Sequence, residues 1–389
     1  MLEMKLKQIP SDFIVEEIPI NEFSDEKQEH TVFLLEKKEL DTFEALNILS
    51  SKLHIPLREI GFAGLKDKHA YTKQYISIPT KYRVESFSQK NLWLKLVGYS
   101  NRKIKTGELK GNRFTITVRG IREEKIPVVY RRVEELKNSG VPNYFDSQRF
   151  GSVIHGEFIA KYLINRDCEN AVKIFLTHYL KSERKQVKDE KRKIKSNWGN
   201  LEGIDIKNPV FKRIIKRYLE TRSWCEAYSE IPSRIREMHI NAYQSFLWNE
   251  CLKEVLKKQV DHSKLYPVKY NIGTLLFYTD LTREELEGIP RVFPTISDSM
   301  KLNSYEEEII NKVLSRENLV LSDFDISGYT KNFFKTRERE CILYPGDFSI
   351  SEPMKDEINT SRPFKKLVLS YTLPKGCYAT IVTKKLFGH

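Results

Sequence analysis

The sequence predicts an α+β fold in which a mixed, mainly antiparallel sheet domain is interrupted by a helix-rich α+β insertion. Strand patterns dominate the first part of the chain and return near its end, whereas helical patterns dominate the middle. Strands and helices do not alternate regularly, which argues against a doubly wound parallel sheet. The 389 residues are enough for two domains. We expect a sheet domain of residues 1–155 and 339–389, with the insertion at 156–338.

The elements of the first part follow from hydrophobic period and capping signals. Asp41 and Glu44 have the spacing of a capping box, which predicts the start of a helix that continues to Leu53. In residues 112–119, Phe114, Ile116 and Val118 alternate with polar residues, as in a half-buried strand. Further strands are predicted at residues 12–18, 31–36, 74–78 and 92–97, and a helix at 128–136.

The middle and the end of the chain carry longer patterns. Residues 158–179 are helical in pattern, and a long helix is predicted at 240–258, with its aromatic residues in the core. A basic run from Lys181 to Lys195 is interrupted by acidic residues, which favours a solvated helix or mobile loop over an RNA clamp. Another helix is expected at 306–314, and residues 365–371 and 373–382 have strand character.

Charge and composition limit the classes of partner and compartment. The net charge of +13 and the pI near 9.2 favour an anionic partner, nucleic acid before a membrane surface. No stretch approaches the ~20 apolar residues of a membrane helix, and the start does not resemble a signal peptide. The five cysteines have no Cys-x-x-Cys spacing, so we expect ordinary thiols and a cytoplasmic protein.

Several common catalytic devices are absent from the sequence. It contains no Gly-x-Ser-x-Gly elbow, no Walker phosphate loop and no Gly-x-Gly-x-x-Gly turn. Asp323 and Asp325 are a turn or cap rather than a metal site, because a lone acidic pair is a weak signal. We therefore expect neither a metal nor a cofactor. Isomerisations fit this expectation, since they need no redox partner and no group donor.

One candidate site stands out in residues 61–74, GFAGLKDKHAYTKQ. Asp67 lies there among Lys66, Lys68, His69 and Lys73, which favour its ionised form. A carboxylate in a basic setting suits a nucleophile that acts on nucleic acid, with Lys66 and Lys68 available to an anionic substrate. The alternative is a solvated surface turn of mixed charge.

Five segments together resemble the TruD family of tRNA pseudouridine synthases. They are residues 7–17 (KQIPSDFIVEE), 64–70 (GLKDKHA), 105–114 (KTGELKGNRF), 142–151 (PNYFDSQRFG) and 373–380 (LPKGCYAT). The segments occur in the family's order, and the middle of the chain matches loosely near residues 245–249 and 339–345. The resemblance implies a pseudouridine-synthase-like catalytic domain with a TRUD-type insertion.

The resemblance also implies roles for individual residues. Asp67 matches the family's nucleophile and Lys7 its basic partner, which would lower the pKa of the carboxyl and fix its rotamer. Phe145 matches the aromatic residue that stacks on the target base, and Asn143 a positioning residue. Tyr378 falls where the family usually has phenylalanine near the pocket, so its hydroxyl is a departure.

The implied reaction converts uridine to pseudouridine in tRNA, with uridine 13 the usual target, and needs no small-molecule cofactor. The residues leave open whether Asp67 attacks the sugar or removes a sugar proton. We expect a monomer without membrane association. A non-catalytic RNA-binding or chaperone protein on the same fold is the alternative, and an RNA methyltransferase is disfavoured by the missing glycine-rich turn.

Overall fold

The computed structural model describes residues 5–180, 183–328, 330 and 333–388. Lys181 of the predicted basic run and the first four residues lie outside them. The strands are β1 Phe13–Pro19, β2 His30–Lys38, β3 Gly61–Phe62, β4 Tyr71–Pro79, β5 Phe87–Gln89, β6 Leu92–Ser100, β7 Leu109–Ile121, β8 Val141–Pro142, β9 Leu265–Tyr270, β10 Gly273–Tyr278, β11 Val292–Pro294, β12 Glu338–Glu340, β13 Ile342–Leu343, β14 Gly346–Ile350, β15 Met354–Lys355 and β16 Lys365–Pro374. The helices are α1 Thr42–Leu53, α2 Ile126–Ser139, α3 Ile159–Ile164, α4 Cys168–Thr177, α5 Lys185–Ser196, α6 Pro209–Thr221, α7 Trp224–Ser229, α8 Ser233–Gln259, α9 Arg283–Gly288, α10 Ser304–Glu317 and α11 Ala379–Phe387.

The chain divides into two compact units. Unit 1 comprises Met1–Val141 and Leu343–His389, and unit 2 comprises Pro142–Ile342. The predicted boundaries after residues 155 and 338 differ from these divisions. The assignment of the two units as a catalytic domain and an insertion domain stays a prediction.

Unit 1 is built on one large sheet. Its strand order is β14-β16-β7-β1-β4-β2-β6-β5, with β15 beside β16 and β3 beside β4. Strands β1 and β4 are parallel, and the other pairs along this path are antiparallel. The mixed, mainly antiparallel sheet confirms the predicted fold class.

Helix α1 covers part of this sheet. The Asp41 carboxylate accepts the Glu44 N–H at 2.8 Å, and the Glu44 carboxylate accepts the Asp41 N–H at 2.9 Å, which confirms the predicted capping box. The apolar face of α1 joins inward-facing residues of β2, β4 and β6 in one core, which includes Phe33, Leu35, Ala45, Leu46, Leu49, Ile76, Ile78, Leu92 and Leu94. Along β7, Phe114, Ile116 and Val118 are buried, as their alternation predicts.

Unit 2 contains most of the helices and two short strand pairs, β9 with β10 and β11 with β12. Its longest helix is α8, which runs over 27 residues. Tyr243 and Trp248 of α8 are fully buried, and the Trp248 indole N–H donates to the Phe293 carbonyl at 2.9 Å. The aromatic residues at these two positions are therefore core, as expected.

Local structure differs from the prediction in two segments. Residues 158–179 form two helices, α3 and α4, because Arg166 adopts a φ of 61° and Asp167 then caps α4. Residues 373–382 do not continue as a strand, since the chain turns at Gly376 with a φ of 82° and enters α11. The buried face of α11 extends to Phe387, beyond the segment whose pattern suggested a strand.

The expectation that all five cysteines are ordinary thiols is wrong for two of them. Cys168 at the start of α4 and Cys225 in α7 form a disulfide across 57 residues of sequence. The pairing has no sequence signature because it depends on α4 packing against α7. Cys251, Cys341 and Cys377 are not part of a disulfide.

Within the described ranges, none of the helices has the length and apolar character that crossing a membrane would demand.

Candidate active site

Asp67 lies in the loop between β3 and β4, and buried hydrogen bonds fix the backbone of that loop. The Lys66 N–H donates to the Thr42 hydroxyl at 2.9 Å, at the first residue of α1. The same hydroxyl donates to the Gln74 amide oxygen at 3.1 Å, and the Gln74 amide donates to the Gly64 carbonyl at 3.2 Å. Helix α1 and strand β4 therefore hold the loop from both sides.

The Asp67 carboxylate binds a side-chain cation and a backbone N–H. One oxygen forms an ion pair with the Lys7 ammonium, and the other accepts the His69 backbone N–H at 3.0 Å. About a fifth of the Asp67 side chain remains exposed to solvent (21%). Burial raises the pKa of Asp67, but the hydrogen bond and charge of Lys7, with the His69 N–H, outweigh it and hold the pKa below its ordinary value. The carboxylate is therefore an anion at neutral pH.

Lys7 is itself held in place. Its backbone adopts a φ of 55°, and its ammonium lies 4.1 Å from the centre of the Phe13 ring, at the start of β1. A cation over an aromatic face is attracted by the electrons of the ring. Lys7 thus contacts both Asp67 and the central sheet.

Lys37 supports the Asp67 loop from inside unit 1. This residue of β2 is fully buried (0% exposed), and its ammonium donates to the carbonyls of Leu40 at 2.7 Å, Asp67 at 3.1 Å and Lys66 at 3.4 Å. Burial lowers the pKa of Lys37 to about 8, opposed mainly by the negative charge of Asp67. A buried ammonium without a carboxylate bond is unusual, and here its three protons hold the backbone around Asp67.

The two lysines beside Asp67 are both paired with acids. Lys66 and Glu17 form a buried ion pair of 2.6 Å, with side chains 5% and 1% exposed. Glu17 also accepts the Tyr75 N–H at 3.2 Å. Lys68 is exposed and lies 2.8 Å from Glu44. The charge of Lys66 is thus paired inside the protein, and the expected contacts of Lys66 and Lys68 with substrate stay predictions.

A second group of predicted residues lies in unit 2, around Phe145. The side-chain amide of buried Asn249 accepts the Phe145 N–H and donates to the Phe145 carbonyl, both at 2.9 Å. Phe145 is 9% exposed, and its ring lies edge-on to Trp248. The guanidinium carbons of Arg339 and Arg149 lie 4.1 and 5.3 Å from the ring centre. The aromatic ring of Phe145 therefore has two guanidinium groups close to it.

Asn143 holds Arg339 beside this ring. The guanidinium of Arg339 donates to the Asn143 backbone carbonyl at 2.8 Å and to its side-chain oxygen at 2.7 Å. The Asn143 amide donates to the Glu340 carbonyl at 3.0 Å. Asn143 is buried and bonded to β12, so it positions Arg339 in this structure. Tyr378 lies in unit 1, at the N-cap of α11, and is partly exposed.

Comparison with known proteins identifies the family. The family model described as tRNA pseudouridine synthase D (TruD) matches residues 2–272 and 280–386. The chain belongs to the TruD family. Pseudouridine synthases are isomerases, and this chain is an isomerase of that class.

Relatives match the TruD chain over nearly its whole length. It is 41% identical to "Probable tRNA pseudouridine synthase D 2" of Methanocaldococcus jannaschii, over 99% of this chain and 92% of that protein. It is 33% identical to tRNA pseudouridine synthase D of Aquifex aeolicus, over 99% and 98%. A crystal structure of a candidate TruD protein from Methanosarcina mazei superposes with a TM-score of 0.73, at 26% identity, over 99% and 93% of the two chains.

Sequence reasoning did not single out several residues of the Asp67 loop and of the surroundings of Phe145. Lys37, Thr42 and Gln74 hold the Asp67 loop, and Arg339, Trp248 and Asn249 surround Phe145. A signal existed for Lys37, which follows Phe33 and Leu35 at a spacing of two and so lies on the inward face of β2. The looser family matches near residues 245–249 and 339–345 contain Trp248, Asn249 and Arg339.

We searched the described residues for side chains that could bind a metal ion. Among the residues that the structure describes, no three His, Cys, Asp or Glu side chains are placed to hold a metal ion. What the Asp67 site offers is a half-buried carboxylate anion, one adjacent ammonium and a rigid backbone. Such a group can form a bond to an electrophilic carbon or accept a proton.

Proposed function

We propose that this protein converts uridine to pseudouridine in tRNA, at uridine 13, with Asp67 as its catalytic carboxylate. Membership of the TruD family supports the reaction and the class of RNA. The observation that carries the assignment of Asp67 is its ion pair with Lys7 on a loop fixed by buried bonds. The position of the target uridine rests on the sequence resemblance alone.

The proposed chemistry exchanges one bond of the ribose for another. The bond between N1 of uracil and C1′ breaks, and the base leaves with the electron pair. Asp67 either bonds to C1′ or takes a proton from C2′, and both routes need the anionic form. After the base turns, C5 bonds to C1′. On the first route this bond displaces Asp67 from C1′, and on the second Asp67 returns its proton to C2′, so that both routes restore the free carboxylate. The hydrogen of C5 is lost to solvent, and N1 gains a proton.

Loss of the C5 hydrogen provides the test. A tRNA transcript carrying tritium at C5 of its uridines is incubated with the protein, and tritium released to water is counted. We expect close to one equivalent from tRNA with uridine 13 and none from the same tRNA with cytidine 13. Equal release from both would overturn the position, and no release from either would favour the non-catalytic RNA-binding alternative.

Lys7→Met should introduce a dependence on acid pH. Without the ammonium, burial dominates and raises the pKa of Asp67, so protonation inactivates the carboxylate as the pH falls through the raised value. We expect the variant's rate to decline at acid pH where wild type stays level, and to recover toward neutral pH. The measurement is single-turnover rate against pH, with exposed Lys52→Met as the control. Parallel profiles for Lys7→Met and wild type would contradict the pairing.

Phe145 is proposed as the residue that stacks on the target base. Phe145→Ala should lower the rate of productive turnover about 10- to 100-fold, because stacking on an aromatic ring contributes about 1–3 kcal/mol per base. Its Kd for tRNA should change less than about threefold, since most interactions with the RNA remain. Equal losses of turnover and affinity would argue that Phe145 acts through packing against Trp248 and Arg339. Phe145→Tyr, which keeps the ring, is the matched control.

A further inference from the structure

The positive charge of the protein is concentrated in one short part of unit 2. Residues 183–222 contain 13 Lys and Arg and 6 Asp and Glu, a net charge of 13 − 6 = +7 in 40 residues. The whole chain of 389 residues carries +13. About a tenth of the chain therefore holds more than half of the excess charge.

This basic region is a packed helical cluster, which we call the basic cluster: α4, α5, α6 and α7. The Cys168–Cys225 disulfide joins α4 to α7, and Phe175 of α4 packs edge-on against Phe211 of α6. The Glu190 carboxylate of α5 accepts the N–H groups of Lys207 at 3.2 Å and Asn208 at 3.0 Å, which ties the loop before α6 to α5. The charges are thus mounted on a defined scaffold.

Many of these cations form no ion pair with a described acidic residue. On a helix face that is only solvated, acidic residues would usually pair with them. Lys191 is buried and bonded to Glu183, and other cations such as Arg213 and Arg217 form ion pairs. Six exposed cations form no ion pair with any described carboxylate: Arg184, Lys185, Lys195, Lys207, Lys212 and Arg222. Unpaired exposed cations are available to phosphate groups.

Three aromatic rings stack within the same cluster. Trp224 lies between Tyr218 and Trp198, with ring centres 3.5 and 4.9 Å apart and planes within 12° of parallel. All three rings are partly exposed. The Lys173 ammonium lies 5.6 Å from the Trp198 ring centre, and unpaired Lys195 and Arg222 are within four residues of a stacked ring in sequence. Flat aromatic surface beside free cations is the combination that binds unpaired nucleotides.

We propose that the basic cluster is an RNA-binding surface, distinct from the residues around Asp67 and Phe145, that contacts the phosphate backbone and an unpaired base of the tRNA. The proposal builds on the proposed function, which supplies tRNA as the ligand. An anionic membrane is disfavoured because Ile194, an apolar residue of α5, is buried and packs inward. The cluster supplies affinity by releasing counterions and by stacking, and takes no part in the chemical step.

The test removes four unpaired cations by Arg184→Gln, Lys185→Gln, Lys195→Gln and Lys212→Gln. The control changes four exposed cations of unit 1 that form no ion pair with a described carboxylate: Lys27→Gln, Lys52→Gln, Lys90→Gln and Lys95→Gln. Both variants lose the same net charge. The measurement is the Kd for full-length tRNA over a series of KCl concentrations, with circular dichroism to verify folding. A third variant, Trp198→Leu, examines the ring stack.

We expect the basic-cluster variant to bind tRNA at least about tenfold more weakly, with a salt dependence reduced by roughly 0.7–0.9 for each phosphate that the variant no longer neutralises. The unit 1 control should change affinity less than about threefold. Trp198→Leu should weaken binding without changing the salt dependence, because stacking releases no counterions. At saturating tRNA, the basic-cluster variant should form pseudouridine at the wild-type rate.

Equal affinity and salt dependence for the basic-cluster variant and wild type would overturn the proposal. Equal losses in the two four-residue variants would also overturn it, since the effect would then follow net charge alone. Binding to anionic phosphatidylserine vesicles but not to tRNA would assign the surface to a membrane instead. These outcomes are separate from the proposed reaction, because wild type that binds tRNA through the cluster but releases no tritium contradicts only the reaction.

Discussion

Asp67→Asn is expected to abolish pseudouridine formation, with a loss of about 10³-fold or more in the single-turnover rate. The amide has nearly the shape of the carboxylate and can still accept the His69 N–H that Asp67 accepts at 3.0 Å. It carries no negative charge, so it can neither bond to the ribose carbon nor take its proton. Tritium release from C5-labelled tRNA measures the rate directly.

The same variant should keep its fold and its affinity for RNA. We expect its melting temperature to lie within a few degrees of wild type and its Kd for tRNA to change less than about threefold. Asp25→Asn, an exposed acid of unit 1, is the matched control and should retain full activity. Full activity in Asp67→Asn would remove this carboxylate from the mechanism.

Lys37→Met should give the second largest loss, about 10²-fold in kcat, although Lys37 is buried beneath the loop. The side chain is similar in length but cannot donate to the carbonyls of Leu40, Lys66 and Asp67. Small displacements of a catalytic group of about 1 Å cost about this much in rate. KM should change little, which distinguishes misplacement of the carboxylate from loss of RNA binding.

The pH profile separates this positioning role from a general loss of stability. The pKa of Lys37 is about 8, and above it the neutral amine has two protons for three carbonyls. Wild-type kcat should therefore decline above about pH 8, whereas Lys37→Met should be low and level there. Because this pKa lies below the ordinary 10.5, the unfolded chain binds more protons between these values, and the Lys37 contribution to the free energy of unfolding rises with pH. The decline in rate would thus occur without loss of the fold.

Two measurements complete this test. Melting temperatures from pH 7 to 10 establish that the protein remains folded, and exposed Lys52→Met should keep the wild-type rate and pH profile. A wild-type rate for Lys37→Met would contradict the positioning role.

The elements that sequence reasoning predicted best are those whose signals are local. The capping box of Asp41 and Glu44 and the alternation along β7 each involve neighbouring residues, and both are present in the structure. The strand order and the Cys168–Cys225 disulfide depend on contacts between residues far apart in sequence. No short pattern encodes such contacts, so the sequence alone could not reveal them.

The candidate site residues also differ in whether their partners are close in sequence. Asp67 was conspicuous because its basic neighbours are adjacent in sequence, whereas Lys7 is 60 residues away and was recognised by resemblance alone. The pairing of Lys66 with Glu17 had no local signal, because the two residues are 49 positions apart in sequence. A charged side chain near a site is available to a ligand only when no buried partner satisfies it first.

The amide of Asn249 has a consequence for how position 145 can change over evolutionary time. It satisfies both main-chain polar groups of Phe145, so the conformation there does not depend on which side chain the residue carries. One aromatic type could be exchanged for another without rebuilding the surrounding chain. Asn249 itself has no such freedom, because any replacement lacking both a donor and an acceptor strands two buried peptide groups at once.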